Sequence, residues 1–185
     1  MRPVLILAAL ALAGCETTRL AEPAGPAIPA GPAIPAAVLL ELPNAALPLP
    51  GVLTGGRPSE AQLREAEVAG YRTVVSLLPM EDFPGEEAVV RGAGMRFVSI
   101  PVRGAEGLTE QNARALGAVL AEPDARPLLI HCESGNRVGA LLALEAFHVE
   151  HASAKDALKL GEAAGLSSLR PAVEERLVAP VAPQP

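Results

Sequence analysis

The feature that most constrains this chain is a short apolar run that passes directly into a turn and then a helix. Residues 128–130 have the composition of a buried strand, and from Val138 onward Ala and Leu recur at helical spacing. Residues 131–137 must therefore turn sharply from strand into helix. Cys132 lies in this turn, at the predicted N-terminus of the helix.

A thiol in that position is suited to nucleophilic chemistry. Free backbone N–H groups and the positive end of the helix dipole favour the thiolate of Cys132 over the thiol. The same donors bind oxyanions, and Arg137 adds a planar guanidinium that can bind two oxygens at once. The turn is therefore predicted to hold a nucleophile inside an anion-binding loop.

His131-Cys132-x-x-Gly135-x-Arg137 resembles the signature loop of the cysteine-dependent protein tyrosine and dual-specificity phosphatases. The usual signature has five residues between Cys and Arg, whereas four stand here, and Val138 occupies the position of the usual Arg. This shortened Cys-x4-Arg loop resembles that of a bacterial phosphatase-like family, the phosphatase-like domain of beta-lactamase hydrolase-like proteins. It also resembles the loop of rhodanese sulfurtransferases.

The phosphatase resemblance implies a role for each loop residue. Cys132 would attack phosphorus to form a phosphocysteine, while the loop N–H groups and the Arg137 guanidinium hold the phosphoryl oxygens. His131 would orient the loop, and Gly135 would keep it open to phosphate. The predicted substrate-binding set is His131, Glu133, Ser134, Gly135, Asn136 and Arg137.

The general acid is less well defined by the resemblance. Similar enzymes place an Asp on the loop after the strand that here ends at Ile100, and this chain has Glu106 on that loop instead. Asp82 is a weaker candidate. Counted from Arg137 instead of from Cys132, Val138 is the next residue, where phosphatases usually have a Ser or Thr that assists breakdown of the intermediate, so we expect slow turnover.

Two other functions remain open. A sulfurtransferase would carry a persulfide on Cys132 and would need no general acid. His131 favours the phosphatase-like family instead, as do three upstream phrases that resemble it, Gly-Arg-Pro-Ser at 56–59, Val-Val-Ser-Leu-Leu at 74–78 and Ile-Pro-Val at 100–102. A catalytically inactive loop could instead bind a phosphorylated or sulfated ligand. We expect no cofactor and no metal, because His148 and His151 have no further ligands near them in sequence.

The predicted fold class is α/β, a three-layer phosphatase-like domain. A central, mostly parallel sheet of four to five strands is flanked by helices, because strands alternate with helices along the chain. Ser59 and Gln62 form a predicted capping box, and Thr109 is a predicted N-cap. The predicted strands are 51–54, 73–78, 96–100 and 128–130, and the predicted helices begin near residues 59, 86, 109, 138, 152 and 169.

The N-terminal sequence predicts that the protein is located in the bacterial cell envelope. Residues 1–14 read as a lipoprotein signal peptide, and Leu12-Ala13-Gly14-Cys15 resembles a lipobox whose Cys15 is acylated. Glu16 favours the outer membrane by the usual sorting pattern, and we expect the protein to face the periplasm. If Cys15 carries lipid, Cys132 has no partner for an internal disulfide, because the chain has 2 cysteines.

The remaining segments follow from composition. Residues 15–50 form a predicted tether that contains Ala-Gly-Pro-Ala-Ile-Pro twice, although 36–50 could also lie on the domain. Residues 51–178 form the catalytic domain, and 179–185 a disordered tail. The net charge of −6 argues against a nucleic-acid partner, so we expect an oxyanion substrate, a membrane reached through the lipid, and a monomer.

Overall fold

The structure is a computed structural model, and it describes residue 37 and residues 39–178. The predicted signal peptide, Cys15, the proline-rich repeats and the 179–185 tail lie outside the described residues. The described residues form one compact unit. No helix in the described part of the chain is long and apolar enough to cross a membrane.

Strands and helices alternate through most of the described residues, as the sequence predicts. The strands are β1 (Ala46–Leu49), β2 (Val52–Gly55), β3 (Thr73–Ser76), β4 (Arg96–Ser99) and β5 (Leu128–His131). The helices are α1 (Glu60–Val68), α2 (Glu86–Gly92), α3 (Glu110–Leu120), α4 (Asn136–His148), α5 (Ala154–Ala163) and α6 (Arg170–Arg176).

The five strands form one mixed sheet in the order β1-β2-β5-β3-β4. β5 lies at its centre and pairs in parallel with both β2 and β3, so that His131 is in register with Gly55 on one side and Ser76 on the other. β4 is parallel to β3, and β1 is antiparallel to β2. The predicted α/β class with a mostly parallel sheet is therefore confirmed.

Helices cover both faces of this sheet, because side chains along each strand alternate between them. Leu128, Ile130 and Cys132 belong to the larger core, which buries α3, α4 and α5. Leu129 belongs to the smaller core, against α1 and α2. Cys132 and the preceding His131 therefore face opposite sides of the sheet.

The sheet begins before residue 51, where the sequence places the domain boundary. β1 lies at 46–49, and Leu40 and Leu42 are buried in the smaller core. The high proline content suggested a tether here, yet β1 is an edge strand, where a proline such as Pro48 need not donate to a neighbour. The segment left undecided in the sequence thus lies on the domain from about Leu40.

The predicted helix caps are present. The Ser59 hydroxyl accepts from the Gln62 backbone N–H at 3.3 Å, and the Gln62 side chain accepts from the Ser59 N–H at 2.8 Å, which completes the capping box. The Thr109 hydroxyl accepts from the Asn112 N–H at 3.1 Å. α4 begins at Asn136, two residues before the predicted start, so Arg137 lies in its first turn.

Candidate active site

The site is the turn between β5 and α4. Gly135 has φ 89°, in the left-handed region that favours glycine, and it is the N-cap of α4. Its backbone N–H donates a hydrogen bond to the Cys132 Sγ at 3.2 Å. A donor at the start of a helix stabilises negative charge on that sulfur, so the predicted contact between thiol and helix N-terminus exists.

Cys132 is fully buried, with 0% of its surface exposed. Its backbone N–H donates to the Gly55 carbonyl at 3.3 Å, which joins the beginning of the loop to β2. Within the described residues Cys132 is a free thiol, with no disulfide partner. Its position is therefore set by the sheet on one side and by α4 on the other.

The side chains of Glu133 and Ser134 face solvent. Their backbone is held from outside the loop, because the Glu133 carbonyl accepts from the Arg57 N–H at 3.2 Å and the Ser134 carbonyl accepts from the Asn44 side chain at 2.9 Å. Gly56 and Ser134 form an isolated antiparallel β-bridge, and a Cβ on Gly56 would lie 2.9 Å from the Glu133 carbonyl oxygen. These two predicted substrate-binding residues can therefore contact a substrate through their backbone N–H groups, not through their side chains.

The Asn136 side chain turns away from the loop. Its Oδ1 accepts from the Ser167 N–H at 2.8 Å, and its Nδ2 donates to the Ser168 hydroxyl at 2.7 Å. These contacts fasten the start of α4 to the turn between α5 and α6. Asn136 is thus placed as a support of the loop.

The same helix is locked further along by two glycines. A Cβ on Gly139 would overlap the backbone of Leu166 and Gly161, and a Cβ on Gly161 would lie 2.8 Å from the Gly139 carbonyl oxygen. The backbones of α4 and α5 therefore touch directly. This contact fixes the position of α4 relative to α5, and therefore the position of the α4 N-terminus.

Arg137 connects the nucleophile loop to the loop that follows β4. Its Nη1 donates to the Val102 carbonyl at 2.8 Å, and the side chain is half-buried. A guanidinium has five N–H donors, so this hydrogen bond leaves others for a substrate oxyanion. The predicted anion clamp is thus positioned by the predicted general-acid loop.

That second loop, residues 101–108, is held on several sides. Arg176 donates from α6 to the Ala105 and Leu108 carbonyls, each at 2.9 Å. Asn112 donates to the Gly107 carbonyl at 2.9 Å. The Glu106 side chain is exposed, and no hydrogen bond or ion pair to it is present among the described residues. The structure therefore places Glu106 on the expected loop but does not join it to Cys132.

Arg57 was not predicted as a site residue, yet it bridges three loops. Its guanidinium lies 3.1 Å from the Glu133 carboxylate, donates to the Asp82 carbonyl at 2.6 Å, and stacks 5.3 Å from the Phe83 ring centre. The negative charge of Glu133 is thus paired beside the nucleophile loop. Asp82 lies in a short turn, Met80–Asp82, which Arg57 holds through the backbone.

His131 faces away from the loop and contacts α2. Its Nε2 lies 2.5 Å from the Glu86 Oε1, and the Ser76 hydroxyl donates to the Glu86 Oε2 at 2.9 Å. His131 is therefore placed beneath the loop rather than within substrate reach. Glu86 was predicted only as the start of a helix. The available signal was the pair of polar residues, Ser76 and His131, on strands that otherwise read as buried.

No cluster of three or more potential metal ligands occurs in the part of the chain that the structure describes. The Phe147 and His148 rings make an edge contact at 5.0 Å between centroids. His151 ends the turn after α4 with φ 56°. The groups of the described site that can act on a substrate are the Cys132 thiol, the backbone N–H groups of the loop and the Arg137 guanidinium.

The fold is that of phosphatase-like α/β proteins. A candidate phosphatase (DUF442) from Shewanella putrefaciens CN-32 is 20% identical, with a TM-score of 0.57 over 74% of this chain and 92% of that chain. Another from Neisseria meningitidis is 19% identical, with a TM-score of 0.59 over 71% and 94%. TpbA of P. aeruginosa, in complex with pTyr, is 18% identical, with a TM-score of 0.54 over 71% and 79%.

Sequence comparison finds more restricted similarity. The beta-lactamase hydrolase-like proteins of two Xylella fastidiosa strains are 30% identical over 95 residues, which is 48% of this chain. This chain spans 22% of the length of those relatives. No protein-family model matches the chain. The similarity thus covers one region of larger proteins.

Proposed function

We propose that this chain is a cysteine-dependent, phosphatase-like hydrolase that cleaves phosphomonoesters through a phosphocysteine on Cys132. The observation that carries the proposal is the hydrogen bond from the Gly135 N–H to the Cys132 Sγ at the N-terminus of α4, whose first turn contains Arg137. This arrangement gives a nucleophile and an oxyanion site in one loop.

The reaction follows from these positions. The Cys132 thiolate attacks phosphorus in line with the leaving oxygen, an S–P bond forms, and the P–O bond to the alcohol breaks. The loop N–H groups and the remaining Arg137 donors stabilise the three equatorial oxygens. Water then attacks the phosphocysteine, which releases inorganic phosphate and restores the thiolate.

Glu106 is the proposed general acid, because it lies exposed on a loop that Arg137 and Arg176 hold next to the site. It would donate a proton to the leaving alkoxide and then accept one from the attacking water. Val138 offers no hydroxyl to assist that second step, so breakdown of the intermediate is expected to limit turnover. Phosphotyrosine is the first substrate to test, since the TpbA neighbour is a complex with pTyr.

The test uses residues Ala33 to Pro185, called the Ala33–Pro185 unit, in which Cys132 is the one cysteine. We expect phosphate release from para-nitrophenyl phosphate that Cys132→Ser abolishes. The matched control is Arg114→Ala, which removes an exposed arginine paired with Glu110 on α3. Thiocyanate release from thiosulfate and cyanide, without phosphate release, would instead favour the sulfurtransferase alternative. Inactivity on both substrates, with phosphate still protecting the fold against heat, would favour a binding module.

We further propose that Cys15 is lipidated and holds the domain, as a monomer, on the outer membrane of a bacterial envelope facing the periplasm. The support is the lipobox-like segment 12–15 and the proline-rich stretch that follows it. Metabolic labelling with a fatty acid should mark the full chain, and Cys15→Ser should abolish the label. Label retained in Cys15→Ser would contradict this.

A further inference from the structure

A chain of three buried polar side chains lies on the sheet face opposite Cys132. Ser76 donates to the Glu86 carboxylate, which contacts His131, and the exposed fractions of Ser76, Glu86 and His131 are 1%, 3% and 0%. The three come from β3, α2 and β5. They meet directly beneath the first peptide bond of the nucleophile loop.

This cluster is costly to bury. The positions two residues earlier on the same strands and the same face are Val74 and Leu129, which pack in the smaller core. Apolar residues could therefore have continued that core, whereas a carboxylate and an imidazole lose hydration there. A buried polar set that is kept at such a cost calls for a local role.

The backbone around His131 transmits its orientation to Cys132. The His131 carbonyl accepts from the Leu77 N–H at 2.9 Å, and the next N–H, of Cys132, donates to the Gly55 carbonyl at 3.3 Å. The main chain is thus fixed by strands on both sides. The His131 ring is fixed from below by Glu86, so the peptide that leads into Cys132 is held by three partners.

We propose that Glu86 is a positioning residue: its carboxylate accepts the Nε2–H of His131, fixes the tautomer and ring orientation of that histidine, and thereby holds Cys132 where its sulfur receives the Gly135 N–H. The Nδ1 of His131 is buried without a partner among the described residues, which agrees with a ring whose proton is on Nε2. Ser76 completes the set by donating to the second carboxylate oxygen. The role in catalysis rests on the proposed function, but the effect on the thiolate does not.

The test measures the thiolate directly in the Ala33–Pro185 unit, since a cysteine thiolate absorbs near 240 nm and Cys132 is the one thiol present. We expect Glu86→Ala to raise the midpoint pH of this absorbance change by roughly one unit and to slow alkylation by iodoacetamide about 10-fold at neutral pH. Glu86→Gln keeps an oxygen acceptor for the Nε2–H, so it should stay near wild type. Glu87→Ala, on the half-buried neighbour paired with Arg91, should change neither quantity.

Two further measurements keep the proposal falsifiable. If Glu86→Ala does not fold, Ser76→Ala removes the supporting hydroxyl with a smaller loss and should give a change in the same direction. Imidazole ¹⁵N shifts of wild-type His131 should show the proton on Nε2. A proton on Nδ1, an unchanged thiolate in folded Glu86→Ala, or a Glu86→Gln variant as impaired as Glu86→Ala would each overturn the proposal.

Failure of this proposal is distinguishable from failure of the proposed function. The thiolate titration and the alkylation rate need no substrate, so they report on Glu86 whether or not the chain is a phosphatase. If phosphate release is present, Glu86→Ala should lower kcat/KM about 10-fold, because that ratio reports attack by the Cys132 thiolate, whereas kcat reports the slower breakdown of the phosphocysteine. An unchanged kcat/KM in folded Glu86→Ala would contradict the positioning role.

Discussion

The Nη1 of Arg137 donates a hydrogen bond to the carbonyl oxygen of Val102, which joins the anion clamp to the loop that carries Glu106. One guanidinium therefore has two tasks, since it holds that loop and offers its remaining N–H groups to the substrate. Replacing it should affect both binding and the chemical step.

We expect Arg137→Ala to lower kcat/KM for a phosphomonoester about 100- to 1,000-fold, the usual cost of losing a donor to a transition-state oxyanion. Arg137→Lys keeps the charge but loses the planar set of donors, so it should recover only part of the loss. Steady-state kinetics on para-nitrophenyl phosphate measure both, with Arg114→Lys as the control. Full activity in Arg137→Lys would contradict a bidentate clamp.

The general-acid role of Glu106 predicts a dependence on the leaving group. Glu106→Gln should lower kcat/KM, which reports formation of the phosphocysteine, about 100-fold for an alkyl phosphate, whose alkoxide must be protonated, and about 10-fold or less for para-nitrophenyl phosphate. The comparison of the two substrates is the measurement. Glu110→Gln, which alters an exposed carboxylate at the start of α3, should leave both rates unchanged. Equal losses on both substrates would argue against proton donation.

The pairing of Arg57 with Glu133 predicts a change in substrate affinity. Arg57→Ala leaves the Glu133 carboxylate unpaired beside the anion site, so KM should rise about 3- to 5-fold, less at high salt. The double variant Arg57→Ala with Glu133→Gln should return KM towards wild type. A KM that stays high in the double variant would mean that Arg57 acts by holding the loops.

The burial of the Glu145 carboxyl group predicts that the free energy of unfolding falls as the pH rises. It lies on α4 with 3% of its surface exposed, and burial, with help from nearby Glu150, raises its pKa from 4.5 to about 7. Because the folded state holds this proton more tightly than the unfolded chain, the stabilisation is complete below about pH 4.5 and is lost as the pH rises through about 7. The free energy of unfolding, measured with urea, should fall by about 1 to 3 kcal/mol between pH 5 and pH 8.

Glu145→Gln should remove most of that pH dependence, because an amide carries no charge to desolvate. Glu150→Gln should keep most of it, because burial of Glu145 is the larger cause of the raised pKa and the charge of Glu150 only adds to it. An unchanged pH slope in Glu145→Gln would assign the dependence to other groups.

The position of β1 predicts where the domain can be truncated. A chain that begins at Gly51 loses this edge strand together with Leu40 and Leu42, so it exposes the backbone of β2 and part of the smaller core. We expect a lower melting temperature and aggregation relative to the Ala33–Pro185 unit, checked by thermal unfolding and light scattering. Equal stability of the two chains would show that β1 adds little.

Local sequence signals were sufficient for the central strand, the turn at Gly135 and the caps at Ser59 and Thr109. Each depends on residues within a few positions of one another, so composition and spacing carry the information. The same reasoning placed Cys132 at a helix N-terminus. It missed the start of α4 by two residues, since Asn136 and Arg137 are not apolar.

The contacts that complete the site could not be predicted in this way. Glu86 meets His131 across 45 residues, and Arg57 meets Glu133 only because β2 and β5 are neighbours. Such pairs depend on strand order, which periodicity does not determine. β1 was missed for a different reason: Pro48 and the prolines on either side of the strand indicate a tether locally, and only the place of β1 at the sheet edge makes a proline within it acceptable.

The direct backbone contact of Gly139 with Gly161 and Leu166 means that the packing of α4 against α5 helps to set the position of the nucleophile. Even one methyl group at Gly139 would wedge α4 away from α5 and displace the Gly135 N–H relative to the Cys132 sulfur. The reactivity of Cys132 and the packing of α4 on α5 therefore depend on the same backbone contact. A substitution that moves α4 relative to α5 also moves the nucleophile loop.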